Sequence, residues 1–277
     1  MVIKSYSKIN LTLKVGPKNK DGLHEIQSFF CLIDLTDKII IKKIKAKKDN
    51  ITFKGPFAKL VNKSDNTILN LLKLLRLSKL ISSFYSITVI KNIPVFSGLG
   101  GGTGNAASIL KHLVKKINKP LLLQVESKIG SDLRLFFHKQ GYLKNLKSVI
   151  NIKKKKKMFF VLIQPRVKCS TKEIYSKVRN FNENKSLKKY ILSSKFSFIS
   201  HLVESSNELQ SVVEKKYPVI KKLLLNLKNE KGCYFSRMTG SGSVCYGLFD
   251  NKIKAKKALN NLELKYPKFW LSLAKTV

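Results

Sequence analysis

Apolar and polar positions alternate near the N-terminus. Ile9, Leu11, Leu13 and Val15 are separated by polar residues, the period-two pattern of a strand with one buried face. Apolar clusters recur over 26–33, 39–44 and 86–90, so the first third of the chain reads as strand-rich. The spacing then predicts a helix over 67–75, with Ser64, Asp65 or Asn66 available to cap its first N–H groups. Beyond residue 105 the period changes: Ala106, Ala107, Ile109, Leu110, Leu113, Val114 and Ile117 recur at helical spacing as far as Pro120. The second half combines predicted strands over 158–164, 233–237 and 244–249 with predicted helices over 170–178, 218–227 and 253–262. This mixture, with no internal repeat, predicts an α+β chain. Its lysine-rich turn marks the expected boundary between a domain of residues 1–152 and one of residues 153–277.

Between the last strand of the first third and the helix that follows lies "NIPVFSGLGGGTGNAASIL", residues 92–110. Five of the chain's 14 glycines fall within 98–104. Bare backbone there can turn its N–H groups toward a ligand, and the first turn of the helix adds unpaired donors and the positive end of its dipole. Together these form a cradle for phosphate, to which Thr103 can add a hydroxyl for the phosphate or for Mg²⁺. The lysine of a G-x-x-x-x-G-K-[ST] loop is missing. "GTGNAA" fits the dinucleotide pattern G-x-G-x-x-A only over its own length, and Glu126, the one acid near the required distance, lies in a segment that reads as partly helical.

Charge adds a second question. With 55 Lys and Arg against 16 Asp and Glu, the formal net charge is +39, which favours polyanions such as nucleic acid or an anionic membrane surface. The lysines are nevertheless spread along the whole chain beside many Ile and Asn, as compositional drift leaves them. The run Lys153 to Lys157 reads as a solvated turn. Cys31, Cys169, Cys233 and Cys245 show neither a C-x-x-C pair nor metal-ligand spacing with the four histidines, so reduced thiols in a cytosolic compartment are expected. With no transit-like extension evident, a bacterial cytoplasm is the expected one. No apolar stretch is long enough to cross a bilayer, and no membrane partner is expected.

The segment "IPVFSGLGGGTGNAA" resembles the P-x-x-x-G-L-G-S/G-S-S phosphate loop of the GHMP kinase superfamily. "SYSKINLTLKV", "DGLHEIQSFF", "IGSDLRLFF", "CSTKEIY", "NELQ" and "RMTGSGSVCYGLF" follow in the order of one of its branches. That branch phosphorylates 4-diphosphocytidyl-2-C-methyl-D-erythritol on its 2-hydroxyl, in the non-mevalonate route to isoprenoid precursors. The resemblance spans nearly the whole chain. It implies a two-domain GHMP kinase fold, with a ribosomal protein S5 domain 2-like N-terminal domain and a ferredoxin-like C-terminal domain. ATP and Mg²⁺ are implied with it, as is a small-molecule substrate. The protein is expected to be a monomer or homodimer, and compositional drift as the source of the charge leaves specific nucleic-acid binding unexpected. A homoserine or mevalonate type of kinase, or a kinase-derived nucleic-acid binder, are the alternative readings.

Roles follow from the same resemblance. Asp132 is the implied acceptor of the hydroxyl proton and Lys8 its partner, a pairing in which the ammonium favours the ionised carboxylate and stabilises charge on the attacking oxygen. Pro94, Gly98, Leu99, Gly100, Gly101, Gly102, Thr103, Gly104 and Asn105 are implied to bind ATP. Asn10, Leu23, His24 and Tyr175 are implied to contact the substrate, His24 and Tyr175 at its cytosine. Thr239, Gly240, Ser241 and Gly242 correspond to the third superfamily motif. Three positions depart from the branch: Leu23 replaces a Tyr expected to stack on the base, Thr103–Gly104 replaces a Ser pair, and Arg134 stands where Pro is expected.

Overall fold

In the computed structural model of the protein, residues 1–20, 22–178 and 190–277 are described. In chain order the elements are β1 (Val2–Asn10), β2 (Lys14–Lys18), β3 (His24–Ile44), β4 (Asn50–Lys54), α1 (Thr67–Leu77), β5 (Phe84–Ile90), α2 (Gly101–Leu113), α3 (Lys119–Ile129) and a 3-10 helix (Ser131–Phe137). They continue with β6 (Gln140–Asn145), β7 (Ser148–Asn151), β8 (Phe159–Gln164), α4 (Thr171–Ser176), α5 (Lys195–Glu204), α6 (Gln210–Lys216) and α7 (Pro218–Asn229). The last are β9 (Cys233–Met238), β10 (Cys245–Phe249), α8 (Lys252–Lys265) and β11 (Trp270–Lys275).

The chain forms two compact units: Met1–Lys8, Asp34–Val95 and Gly100–His138 make up the first, and Ile9–Ile33, Phe96–Leu99 and Lys139–Val277 the second. The division interleaves because β3, a single 21-residue strand, begins in one unit and ends in the other. The cut expected at 152/153 falls inside the second unit.

In the first unit β5 pairs antiparallel with the end of β3, Ile39 opposite Val89 and Ile41 opposite Ile87, and parallel with β4. Helices α1, α2 and α3 and the 3-10 helix pack on one another. Asn66 caps α1 by accepting from the N–H groups of Ile68 and Leu69. On α2, Ala106, Ala107, Ile109 and Leu110 are fully buried, which the helical spacing foretold. The helix ends at Leu113, short of the predicted Pro120, and Pro120 instead occupies the first turn of α3, where its missing N–H costs nothing.

In the second unit β2, the start of β3, β6 and β7 form antiparallel pairs, and a separate four-stranded sheet has the order β11-β8-β10-β9. That order, with all neighbours antiparallel and with α7 and α8 packed on it, matches the expected ferredoxin-like arrangement. The near-N-terminal alternation was only half informative. Ile9, Leu11, Leu13 and Val15 are buried, but so are Asn10 and Thr12, because the chain bends between β1 and β2 and their polar groups are taken up internally.

The lysine run also departs from the solvated turn expected of it. Lys153, Lys154, Lys155 and Lys157 are exposed, but Lys156 is buried with its Nζ 4.8 Å above the Phe198 ring. Its N–H and C=O both bond to the Gln140 side chain. Burial, with Lys154 nearby, lowers the Lys156 pKa. All four cysteines are free thiols. Burial pushes Cys169 up to about 11 and Cys233 to about 12, so neither serves as a thiolate nucleophile at neutral pH.

Candidate active site

The acid and base partners implied by the sequence meet in the first unit. Lys8, near the end of β1, reaches Asp132 in the 3-10 helix with Nζ 2.9 Å from Oδ2. The lysine side chain is 3% exposed and the aspartate 36%. A buried cation thus faces a carboxylate that remains open to solvent.

The same lysine borders the glycine turn. Gly100 caps α2 with φ 70°, in the left-handed region, and a Cβ on it would stand 3.3 Å from Lys8 Cε and 2.9 Å from Phe136 Cζ. Only glycine fits there. The helix begins at Gly101, so Gly101, Gly102, Thr103 and Gly104 form its first turn instead of a loop. The N–H groups of Gly101, Gly102 and Thr103 have no partner within the helix, while that of Gly104 returns to the Gly100 carbonyl at 2.8 Å. A row of donors that the helix itself leaves unused, at the positive end of its dipole, suits a polyphosphate.

Asn105, expected at the nucleotide, braces the first turn of α2. Its Nδ2 donates to Asp37 Oδ2 at 3.0 Å, and Asp37 also accepts the N–H groups of Asn92 and Ile93, both at 2.8 Å, and the ammonium of Lys91. Lys91 Nζ lies 3.1 Å from where a Gly101 Cβ would be. A positive charge beneath a helix N-terminus would oppose the dipole, and Asp37 neutralises it. Pro94 is buried just ahead of the turn.

The remaining candidates lie in the second unit. His24, at the start of β3, stacks on Tyr175 of α4 with ring centroids 5.8 Å apart and planes 28° from parallel. Its Nδ1 donates to the Gly16 carbonyl at 2.9 Å, which fixes the ring's orientation. Leu23 beside it is 53% exposed. Asn10 donates from its backbone to Thr239 Oγ1 at 3.0 Å and from its side chain to Ser28 Oγ at 2.9 Å.

Gly98, with φ 74°, is also glycine of necessity, since a Cβ would fall 2.2 Å from the Thr239 carbonyl oxygen. Leu99 is buried. Gly240 and Gly242 take φ 54° and 87°, and Ser241 Oγ bonds Thr171 Oγ1 at 2.9 Å. Asn207, in the "NELQ" stretch, holds this motif by donating to the carbonyls of Met238 and Gly240, both at 2.8 Å. Asp37, Asn207 and the buried pair of Glu126 with Arg134 were given no supporting role by sequence reasoning. For Asn207 the only signal was its motif, and for Asp37 there was none.

The chain matches the family model of the GHMP kinases N terminal domain over residues 66–138 and that of the GHMP kinases C terminal over residues 177–268. These matches define its class, a small-molecule kinase of the GHMP type, with which ATP use comes. A solved 4-(cytidine 5'-diphospho)-2C-methyl-D-erythritol kinase shares the fold at a TM-score of 0.75 and 20% identity, with 99% of each chain covered. A homoserine kinase from Cytophaga hutchinsonii does so at 0.68 and 15%, covering 100% of this chain and 94% of its own. Curated relatives are more specific. The 4-diphosphocytidyl-2-C-methyl-D-erythritol kinase of Pelagibacter ubique (strain HTCC1062) is 36% identical over 283 residues, 99% of this chain and 98% of its own. The enzyme of that name from Caldanaerobacter subterraneus subsp. tengcongensis is 31% identical, over 99% and 96%. The chain belongs to the 4-diphosphocytidyl-2-C-methyl-D-erythritol kinase family.

Proposed function

We propose that the protein transfers the γ-phosphoryl group of ATP to the 2-hydroxyl of 4-diphosphocytidyl-2-C-methyl-D-erythritol, releasing ADP, as a step toward isoprenoid precursors. The observation that carries this reading is the ion pair of Lys8 with Asp132 beside a glycine turn in which a Gly100 Cβ would strike the Lys8 stem. Proton acceptor and phosphate donors are thereby neighbours.

In this reading the N–H groups of Gly101, Gly102 and Thr103 hold the polyphosphate of the nucleotide. Asp132 takes the hydroxyl proton, and the Lys8 ammonium beside it steadies the negative charge on the attacking oxygen. Positioning is worth roughly 7–11 kcal/mol against roughly 3–5 for a general base, so the cradle outweighs the acid in magnitude. Three or more His, Cys, Asp or Glu that could hold a metal occur nowhere together among the described residues. That suits Mg²⁺, which is commonly carried on substrate phosphates with few protein ligands; the Thr103 hydroxyl in the first turn of α2 is the ligand we assign. Bound there, Mg²⁺ would neutralise the β- and γ-phosphate oxygens. His24 with Tyr175 offers the cytosine an aromatic surface, while at Leu23 the contact is aliphatic.

The reading is tested by ATP consumption with the cytidyl substrate, cytidine diphosphate alone serving as control. Turnover is expected only with the former, and Asp132→Asn is expected to abolish it while the far-UV spectrum stays native. Native turnover by that variant would refute the assignment of the proton acceptor.

A further inference from the structure

A buried ion pair stands behind Asp132. Arg134 Nε donates to Glu126 Oε1 at 2.6 Å and its Nη2 to Oε2, so the guanidinium fork meets the carboxylate with both prongs. The two side chains are 9% and 8% exposed. Glu126 lies in the last turn of α3, Arg134 in the 3-10 helix, and between them is Gly130, with φ 136° and ψ 147°. The backbone of Glu126 also accepts the Gly130 N–H at 2.9 Å. One glutamate therefore grips both sides of the turn.

What that turn carries explains why a grip is useful. A Cβ on Gly130 would lie 3.8 Å from Thr103 Oγ1, so the turn runs beside the hydroxyl of the phosphate cradle. Two residues further is Asp132. Phe136 of the same 3-10 helix packs against Gly100 and Gly104, and its carbonyl receives Lys111 Nζ at 3.0 Å. A glycine junction in so open a region of backbone conformation does not by itself fix the direction of the segment after it. Proline at position 134, the residue the resemblance calls for, would restrain its own φ through its ring. Arginine cannot, and the side-chain pair supplies the restraint in another way. Buried ion pairs contribute little net stability compared with apolar residues of similar size, which leaves geometry as the gain.

We propose that Glu126 and Arg134 are positioning residues: their pair clamps the Gly130 turn so that Asp132 stays on Lys8 and at the reacting hydroxyl. The clamp rests on the reading of Asp132 as proton acceptor.

The test replaces both partners, Glu126→Leu with Arg134→Met, so that no unpaired charge is left buried. Because a displacement of about 1 Å can cost about 10²-fold in rate, kcat is expected to fall between about tenfold and about hundredfold, with both KM values within about twofold of the original. The melting temperature should change little. Arg134→Lys keeps the charge but loses the two-pronged match, and is expected to show a smaller loss of kcat with the same unchanged KM. Native kcat in the double variant overturns the clamp. Should the double variant not fold, Arg134→Lys decides: an unchanged kcat there overturns the clamp too. Asp132→Asn, measured alongside, separates the two levels. If it is inactive while the clamp variants are native, only the clamp fails; if it is active, the reading of Asp132 as proton acceptor falls and the clamp with it.

Discussion

Gly104 shows how one missing side chain organises the site. Read in the sequence, Thr103–Gly104 in place of a Ser pair is the loss of a hydroxyl. In the structure a Cβ at 104 would come within 2.8 Å of Phe136 Cε1 and 2.9 Å of the Tyr6 carbonyl oxygen, so even the carbon bearing a serine hydroxyl has no room. Two effects oppose each other in Gly104→Ala. Alanine favours a helix over glycine by about 0.5–1 kcal/mol, while overpacking costs about 1–3 kcal/mol. The clash should win, and denaturant titration is expected to show a net loss of stability. Adding Phe136→Leu should recover only part of it, because the Tyr6 carbonyl belongs to β1 and cannot retreat. Full recovery, or a stabilised Gly104→Ala, would mean that the helix has room to shift.

At the scale of elements, the brace around Asp37 links β3, the segment after β5 and α2. Register brings it about: Lys38 lies opposite Ile90, so Asp37 falls opposite Lys91, and its two oxygens serve four donors. Asp37→Ala would strand the Lys91 ammonium in the interior and is expected to cost roughly 3–5 kcal/mol, read from the denaturation midpoint. Asp37→Ala combined with Lys91→Met should be markedly less harmful, and equal damage in both would show that the backbone donors, not the charge, dominate. None of this was visible in the sequence, where "LTDK" is an ordinary polar interruption between two apolar clusters. Those clusters became one strand, since Asp34 and Asp37 continue it instead of turning. Periodicity did serve where packing is one-sided, as on α1 and α2, and the sheet strands β8, β9 and β10 lie where the apolar runs placed them. It failed at α5, α6 and β11, whose mixed patterns acquire meaning only from what they pack against. The ion pair of Lys8 with Asp132 was singled out through resemblance alone: nothing in local spacing distinguishes Lys8 from the other lysines, and only the folding of β1 against the 3-10 helix does.

For the whole molecule the net charge of +39 is the dominant physical fact. Exposed lysines stud elements of both units, among them Lys54, Lys73 and Lys128 in the first and Lys221, Lys228 and Lys256 in the second. A spread of this kind is what compositional drift predicts. Among the described residues the exposed ion pairs that salt would weaken are few; Glu173 takes both Lys177 and Lys216, and Asp250 takes Lys254. Such pairs are worth about 0–1 kcal/mol each. Repulsion among the surplus cations acts over longer distances and opposes the compact state. Raising NaCl from about 0.01 M to about 0.1 M shortens the Debye length from roughly 30 to 10 Å, which should relieve that repulsion more than it weakens the pairs. The melting temperature is therefore expected to rise with salt in differential scanning fluorimetry. A fall over that range would show that local ion pairs outweigh the global charge, and that the lysines are arranged more purposefully than their distribution implies.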